Sequence, residues 1–332
     1  MVLLERTSCQ GWSKGRTISP ITGFESSWVI PFKNSHLICK PIVGGGGFLP
    51  SRSCESLHRP RKMKSYLAAA VQMTSKPDLE KNLVEAEELI ELAVRRGAQL
   101  IGLPENFAFL GEEEDKLAQA DTIAHKSEKF LQTMAQRFQI TILGGGFPVL
   151  GEGGKVFNTA LLIDPSGTEL ARYHKVHLFD VNLPDGNTYR ESNTMMSGKN
   201  LPPIYKSEEL GSLGLSICYD VRFPELYRHL SENGANVLFV PAAFTAYTGK
   251  DHWQVLLQAR AIENTCYVIA PAQAGVHYGI RNTHGHAMII DPWGVILADA
   301  GTEAGVAVAE INPTRLQQVR QQMPCLQHRV FP

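Results

Sequence analysis

The sequence predicts an α/β fold in which two sheets pack together and helices cover their outer faces. Short apolar segments typical of buried strands alternate with amphipathic segments of helical length early in the chain, whereas strands cluster in the middle and at the end. Of the 332 residues, 43% are apolar, which is enough for a substantial core. Composition does not break after residue 65, so we expect a single domain over residues 63–332.

The first half of this domain contains two predicted helices and five predicted strands. Apolar residues at helical spacing predict a helix over 77–96, with Pro77 in its first turn and Gly97 as its C-cap. A second helix over 127–138 places Phe130, Met134 and Phe138 on one face. Apolar runs predict strands over 66–72, 99–103, 140–143, 158–163 and 169–174.

The second half follows a long irregular segment and begins with the apolar run 213–217, a predicted buried strand that leads into Cys218. Pro224 and Pro313 suit the first turns of helices. The remaining predicted helices cover 224–233, 252–263 and 313–322. The remaining predicted strands cover 237–240, 267–270, 286–290, 295–298 and 305–311.

Residues 1–62 differ in composition from the rest. They contain nine Lys and Arg but only three acidic residues, and they include four consecutive glycines from Gly44 to Gly47. This pattern predicts a flexible extension or an organelle transit peptide, which is basic and poor in acids. Met63 would also make a natural start, so an over-extended gene model is a third interpretation. No chemistry is assigned to this segment.

Charge and cysteine usage exclude several functional classes. The formal net charge of −1 argues against broad attraction to nucleic acid or to an anionic membrane, and no apolar run is long enough to span a bilayer. The six cysteines show no C-x-x-C spacing and are too few for a disulfide scaffold. We therefore expect reduced thiols in a cytoplasmic protein.

Cys218 lies where a buried strand turns toward a helix that begins at Pro224. A thiol at such an elbow stands above the sheet, where a substrate can reach it. A nearby helix N-terminus favours the reactive thiolate. The competing interpretation is a buried structural cysteine, because a free cysteine often behaves as a small apolar residue.

Two further strand ends carry candidate catalytic groups. Glu105 follows an apolar strand between Leu103 and Phe107, a setting that predicts a raised pKa suited to a general base, although this motif alone favours an ordinary loop glutamate. Lys175 ends a strand, where a fixed ammonium could stabilise an oxyanion or simply be solvated. His174 and His177 lack a third ligand, so we expect no metal site.

These three motifs, in this order, resemble the nitrilase superfamily over about residues 66–330. They are Leu-Pro-Glu-Asn around Glu105, Tyr-His-Lys-Val-His-Leu-Phe-Asp around Lys175 and Ile-Cys-Tyr-Asp-Val-Arg-Phe-Pro-Glu around Cys218. The resemblance implies an α-β-β-α sandwich that stacks as a homodimer. It also implies a Glu105–Lys175–Cys218 triad, an additional glutamate at Glu191, and hydrolysis of carbon–nitrogen bonds without a cofactor.

Other segments resemble the Nit branch of this superfamily, and within it the amidases that act on deaminated glutathione. They are 260–267, Ala-Gln-Ala-Gly at 272–275, Thr-His-Gly-His at 283–286, Asp-Pro-Trp-Gly at 291–294 and the tail 326–329. The expected substrate is a small carboxylated amide, cleaved through a thioester to 2-oxoglutarate and cysteinylglycine. An ω-amidase acting on 2-oxoglutaramate, a small aliphatic nitrilase, a non-catalytic scaffold and a thiol redox sensor remain alternatives.

Several residues near the motifs are candidates for substrate binding. Arg222, four residues after Cys218, has a planar fork suited to a substrate carboxylate, although a structural ion pair is an equal alternative. We expect the residue after the nucleophile, Tyr219, to offer its backbone N–H to the oxyanion. We also expect Tyr247, Thr248 and His252 to line the pocket, because they follow the strand next to the Cys218 elbow.

Overall fold

The structure is a computed structural model that describes residues 63–279 and 281–330. The extension predicted over 1–62 lies outside the described residues. The helices, labelled α1 to α6 in chain order, are Leu79–Arg95, Glu113–Ala118, Ala120–Phe138, Pro224–Glu232, Ala246–Asn264 and Pro313–Gln322.

The strands are labelled β1 to β17 in chain order. The first nine are Tyr66–Met73, Ala98–Gly102, Thr141–Leu150, Val156–Ile163, Glu169–His174, Asp180–Asn182, Thr188–Arg190, Met195–Met196 and Ile204–Ser207. The remaining eight are Gly211–Gly214, Val237–Phe239, Tyr267–Ala270, Ala272–Val276, Asn282–His284, Met288–Ile290, Ile296–Asp299 and Gly305–Ile311.

The strands form two mixed sheets and one short hairpin. The larger sheet has the order β14-β13-β1-β2-β3-β4-β5, with β17 also paired to β1 and β8 to β4. The second sheet has the order β16-β15-β12-β11-β10-β9, and β6 pairs with β7. The chain passes from one sheet to the other between β12 and β13, at Pro271.

Two apolar cores explain why the sheets stack. Along β1, Ala69 and Val71 pack with α1 and α3, whereas Ala68 and Ala70 belong to the core shared with the second sheet. Side chains of a strand alternate between its faces, so this register places helices on one side of the larger sheet and the second sheet on the other. Residues of helices α4 and α5 belong to the core that is shared with the second sheet. Helices therefore cover both outer faces, and the predicted α-β-β-α arrangement is confirmed.

The sequence prediction was wrong at several element boundaries. The first helix begins at Leu79, because the Asp78 side chain accepts a hydrogen bond from the backbone of Lys81 and caps the helix after Pro77. Strand β3 continues through its glycines to Leu150 instead of ending at them. Helix α2 was not predicted, and α5 begins at Ala246, six residues earlier than expected.

The topology places several chain segments at one edge. Strands β1, β2 and β3 are parallel in the larger sheet, and β10, β11 and β12 are parallel in the second. Glu105 follows β2 and Cys218 follows β10, so both lie beyond the carboxyl ends of parallel strands. Strand β5, two antiparallel steps from β3, runs in the same direction as β3 and delivers Lys175 to that same edge.

Candidate active site

The structure brings Glu105, Lys175 and Cys218 together around one cavity of about 440 Å³. The Lys175 Nζ atom lies 3.2 Å from the Glu105 Oε1 atom. All three residues are buried, with exposed fractions of 4%, 1% and 9%. Three side chains separated by long stretches of sequence therefore meet, largely buried, at the wall of one cavity.

The backbone at Cys218 lies in the left-handed region, with a φ of 48°. Such a conformation is uncommon for a residue with a side chain and persists only where its surroundings fix it. The Cys218 N–H donates to the Pro241 carbonyl at 2.8 Å. The buried Asp220 carboxylate accepts from the Ile217 backbone and the Tyr173 hydroxyl, both at 2.8 Å, and thereby holds the turn that carries the thiol.

Besides Lys175, two neutral donors form hydrogen bonds with the Glu105 carboxylate. The Asn158 amide donates to Oε1 and the Ala243 backbone N–H to Oε2, each at 2.8 Å. Gly146 leaves room for this arrangement, because a Cβ atom there would lie 2.6 Å from Asn158 Oδ1 and 3.2 Å from Glu105 Cγ. Gly146, in the glycine run that was predicted to end the strand, therefore allows the Glu105 and Asn158 side chains to approach the backbone of β3.

Glu191 is the second carboxylate at Lys175. The ammonium lies 3.0 Å from its Oε1 atom and 2.9 Å from its Oε2 atom. The Phe179 backbone N–H donates to the same carboxylate at 2.6 Å. Glu191 is thus placed to orient Lys175.

The charges of Glu105 and Lys175 stabilise each other. Burial by itself would raise the pKa of Glu105, but the Lys175 ammonium, the Cys218 thiol and the Ala243 N–H outweigh it and lower that pKa. Burial disfavours the Lys175 cation, but Glu105 and Glu191 outweigh it and hold its pKa well above the usual value. The raised pKa that we predicted for Glu105 from its apolar flanks was wrong, because a cation lies nearer than those flanks.

The thiolate predicted at Cys218 is also corrected. Burial and the neighbouring Glu105 carboxylate raise the pKa of the Cys218 thiol well above its usual value, although Lys175 opposes them. Cys218 is the first residue of a short 3₁₀ segment, Cys218–Arg222, and α4 begins only at Pro224, six residues after the thiol. The resting site therefore combines a neutral thiol with an ionised Glu105, which is ready to accept the thiol proton.

We expect alkylation of Cys218 by iodoacetamide to be slow at neutral pH and to rise about tenfold per pH unit, because only the thiolate reacts. The rate should still be rising at pH 9.0, the ordinary value for a thiol, because the pKa lies above it. Peptide mass mapping measures the rate, and a Cys218→Ala protein gives the background. A rate that levels off below pH 8 would contradict a raised pKa.

The residues predicted to bind substrate fall into two groups. Tyr219 and Thr248 line the cavity, as does Glu191. Tyr247 and His252 are not among its lining residues, so the prediction that they line the pocket was wrong, and Arg222 is absent from that lining as well. Because α5 begins at Ala246, Tyr247 and His252 fall on its exposed side.

Arg222 packs over the Phe244 and Tyr219 rings, with its Cζ atom 5.2 and 5.8 Å from their centroids. Its Nη1 atom lies 3.3 Å from His252 Nδ1. It thus lies next to two residues that line the pocket, and its contact with a substrate carboxylate stays a prediction.

The cavity also contains residues that sequence reasoning missed. The polar or aromatic ones among them are Asn106, Glu112, Glu113, Lys116, Asn158, Phe179, Asn187, Thr188, Tyr189, Arg190, Phe244, Thr245, Tyr278 and Arg281. Tyr189 and Arg190 directly precede Glu191 in the sequence, so their place in the cavity follows from the position of that glutamate. Arg281 lies between the motifs at 272–275 and 283–286, but neither motif was assigned a role in the site, so the sequence did not indicate it.

The histidines near Lys175 have ordinary partners. His174 Nδ1 lies 2.8 Å from the Thr159 hydroxyl, and His177 Nδ1 lies 2.7 Å from Asp220 Oδ1. In the described ranges, no three His, Cys, Asp or Glu side chains are grouped so that they could hold a metal ion. Among the helices described, none has the length and apolar character needed to cross a bilayer.

An α-β-β-α fold with a buried cysteine, lysine and glutamate at one sheet edge defines a class of carbon–nitrogen hydrolases. A carbon-nitrogen hydrolase family model matches residues 67–321. The chain belongs to this family, within the nitrilase superfamily, and is an enzyme that hydrolyses carbon–nitrogen bonds.

Particular relatives narrow the class. Deaminated glutathione amidase from Synechocystis is 77% identical over 271 residues, which cover 81% of this chain and 100% of the relative. The Bos taurus protein of the same name is 41% identical over 79% of this chain and 81% of its own length.

Solved structures agree with this placement. Nit3 from Saccharomyces cerevisiae, a member of the nitrilase superfamily, has a TM-score of 0.72 and 30% identity, covering 81% of this chain and 97% of its own. An amidase variant from Nesterenkonia sp. AN1 with acrylamide added at its active-site cysteine has a TM-score of 0.66 and 28% identity, covering 78% and 98% of the two chains.

Proposed function

We propose that this protein is a cysteine-dependent amidase that hydrolyses deaminated glutathione to 2-oxoglutarate and cysteinylglycine. Glu105, Lys175 and Cys218 carry the reaction, and Glu191 positions Lys175. The observation that carries the proposal is the convergence of these groups on one cavity, with Lys175 Nζ 3.2 Å from Glu105 and 2.9 Å from Glu191. The 77% identity to a deaminated glutathione amidase supports the choice of substrate.

The first half of the reaction forms a thioester. Glu105 accepts the Cys218 proton while the sulfur attacks the amide carbonyl carbon. The negative charge that develops on the carbonyl oxygen is stabilised by Lys175 and the Tyr219 backbone N–H. Glu105 then gives its proton to the nitrogen, the C–N bond breaks, and the amine leaves with that proton.

The second half releases the acid. Glu105 takes a proton from water, the water oxygen attacks the thioester carbon, and Lys175 again stabilises the oxyanion. The C–S bond breaks, and the sulfur recovers its proton from Glu105. The depressed pKa of Glu105 fits this cycle, because an ionised carboxylate must be present before each proton is accepted.

Cys218 is the suitable nucleophile among the described cysteines. Cys218, Cys266 and Cys325 are free thiols, and of these only Cys218 lines the cavity. The acrylamide adduct in the Nesterenkonia amidase is formed at that relative's active-site cysteine, which supports a nucleophilic cysteine on this fold. A scaffold without catalysis would not need three buried ionisable groups, which are costly to desolvate.

Rates measured side by side on deaminated glutathione, 2-oxoglutaramate and a simple aliphatic nitrile test the substrate. We expect deaminated glutathione to have the highest kcat/KM. Mass spectrometry after rapid quenching should detect an acyl group on Cys218. A faster reaction with 2-oxoglutaramate would assign the protein to ω-amidases instead, and the absence of any acyl adduct would contradict covalent catalysis.

We further propose that the protein forms a homodimer through α5. Exposed apolar side chains lie on α5 and on the β15–β16 hairpin; they are Val255, Ile262, Trp293, Val295 and Leu297. A Cβ atom on Gly294 would lie 2.6 Å from Ile262, so the helix and the hairpin form one surface. Exposed apolar patches of this kind mark protein interfaces.

Replacing Ile262 with Glu should shift the protein from dimer to monomer, because each interface would bury two added carboxylates. Light scattering after gel filtration measures the mass. The matched control is Val84→Glu, which adds the same charge at an apolar residue of α1 that is 58% exposed. An unchanged mass for Ile262→Glu, or a monomeric wild-type protein, would contradict this interface.

We also propose that residues 63–332 are the hydrolase domain and that the protein is cytoplasmic, with 1–62 as an extension. The family match over residues 67–321 supports this division. The mass of the intact native protein would determine whether the extension is present, and cell fractionation would test the location.

A further inference from the structure

The cations that line the cavity differ in how fully hydrogen bonds and ion pairs already occupy their donors. In the described residues these cations are Lys116, Lys175, Arg190 and Arg281. Each lysine forms an ion pair with a glutamate at 2.8 to 3.2 Å. Arg190 donates to three neutral acceptors within its own hairpin, at 2.7 to 3.0 Å. These three side chains are therefore already engaged.

Arg281 is engaged far less. Its guanidinium donates one long hydrogen bond, from Nη2 to the Ala243 carbonyl at 3.3 Å. Its Nε atom is buried without a hydrogen-bond partner among the described atoms. The Tyr189 ring lies 4.8 Å from the guanidinium carbon. A guanidinium stays charged and offers a planar fork of donors that matches a carboxylate, so this group has donors left for an anionic ligand.

The position of Arg281 indicates which part of a substrate it meets. Ala243 connects Arg281 to Glu105, because its N–H donates to Glu105 Oε2 at 2.8 Å while its carbonyl accepts from Arg281. In the proposed reaction Glu105 gives its proton to the departing nitrogen, so the leaving group lies beside Glu105. The leaving dipeptide spans at most about 7 Å from end to end. Its terminal carboxylate can therefore lie about one residue's length beyond Glu105.

We infer that Arg281 binds the terminal carboxylate of the leaving dipeptide and so selects amides whose amine half is acidic. This inference rests on the proposed function and deepens it. The bond is charge-assisted and suited to a two-pronged contact, which is the strong kind of hydrogen bond. Ammonia, the leaving group of 2-oxoglutaramate, has no carboxylate, so that substrate gains nothing from Arg281.

An Arg281→Gln variant assayed on deaminated glutathione and on 2-oxoglutaramate tests this inference, because the two substrates share their acyl half. We expect kcat/KM for deaminated glutathione to fall roughly 10- to 100-fold, mainly through KM, the effect of losing a hydrogen bond to a charged group. The loss on 2-oxoglutaramate should be at least about tenfold smaller. Equal losses on both substrates, or no loss on deaminated glutathione, would overturn the inference.

A change in the substrate provides the matched control. Deaminated glutathione with its terminal carboxylate converted to an amide should react more slowly with the wild-type enzyme by about the same factor, and Arg281→Gln should then cause little further loss. Arg281→Lys keeps the charge but loses the fork, so its activity should lie between those of the wild type and Arg281→Gln. If amidation of the substrate and Arg281→Gln instead reduce activity by independent factors that multiply, Arg281 and the terminal carboxylate do not contact each other.

Product inhibition separates this inference from the proposed function. The wild-type rates alone decide whether deaminated glutathione is the substrate. Inhibition by cysteinylglycine, measured with whichever amide is turned over, decides the role of Arg281. An inhibition constant raised roughly tenfold in Arg281→Gln supports it, and an unchanged constant contradicts it.

Discussion

Replacing Cys218 with alanine is expected to lower kcat for amide hydrolysis by ~10⁴-fold or more, because nucleophile and base act as a unit and the loss of one disables both. The Cys218 thiol faces the cavity beside Glu105, and among the described residues that line the cavity no other side chain is a thiol. The measurement is kcat under saturating substrate, together with the mass of the quenched protein.

Cys266→Ala is the matched control for that experiment. Cys266 is also a buried free thiol, but it is bonded to the Ala235 and Asn264 carbonyls and lies outside the cavity lining. Its replacement should change the melting temperature more than kcat. Comparable activity loss in both variants would mean that the loss follows from unfolding, and a Cys218→Ala protein that keeps its activity would rule out the thioester.

Replacing Lys175 with methionine is expected to lower kcat ~10²- to 10³-fold, the typical effect of losing one oxyanion donor. KM should change much less, because the charge that Lys175 stabilises develops only in the transition state. Stability should fall as well, since Glu105 and Glu191 lose their shared cation. Steady-state kinetics and thermal unfolding measure the two effects.

The pH dependence of stability gives this variant a second readout. In the wild type the depressed pKa of Glu105 contributes stability that is present above its unfolded value of about 4.5 and is lost as the pH falls through the folded value. Without Lys175 the pKa of Glu105 should rise, so this contribution should shrink. The free energy of unfolding, measured at several pH values between 3 and 7, should therefore change less with pH in Lys175→Met than in the wild type.

The control is Lys116→Met, because Lys116 is equally buried and pairs with Glu113 at 2.8 Å. It breaks an ion pair in the same cavity without touching the triad, and kcat should fall at most about tenfold. If both variants lose turnover equally, the effect belongs to buried charge in general and not to oxyanion stabilisation by Lys175.

Much of the fold followed from the sequence because local patterns report burial. Strand Gly305–Ile311 and helix Pro313–Gln322 have the predicted bounds, since a clean apolar run and a proline at a helix start leave little freedom. Helix α5 was harder to delimit. Its first turns contain Tyr247 and Gly249, and their helical conformation depends on packing against neighbours such as His284, which approaches Gly249.

The sequence alone determined which chemical groups are available and in what order: a glutamate, a lysine and a cysteine at three strand ends. Tertiary structure alone decided their protonation. Glu105 is ionised because Lys175 lies 3.2 Å away, and Cys218 keeps its proton because it is buried beside that carboxylate. The electrostatic field at a titratable group is set by the charges around it in space. The residues next to it in the sequence therefore cannot predict whether its pKa is raised or lowered. Arg281 could not be predicted for the same reason, since its place at the cavity depends on tertiary structure. It reaches the cavity only because β13 and β14 return to the larger sheet.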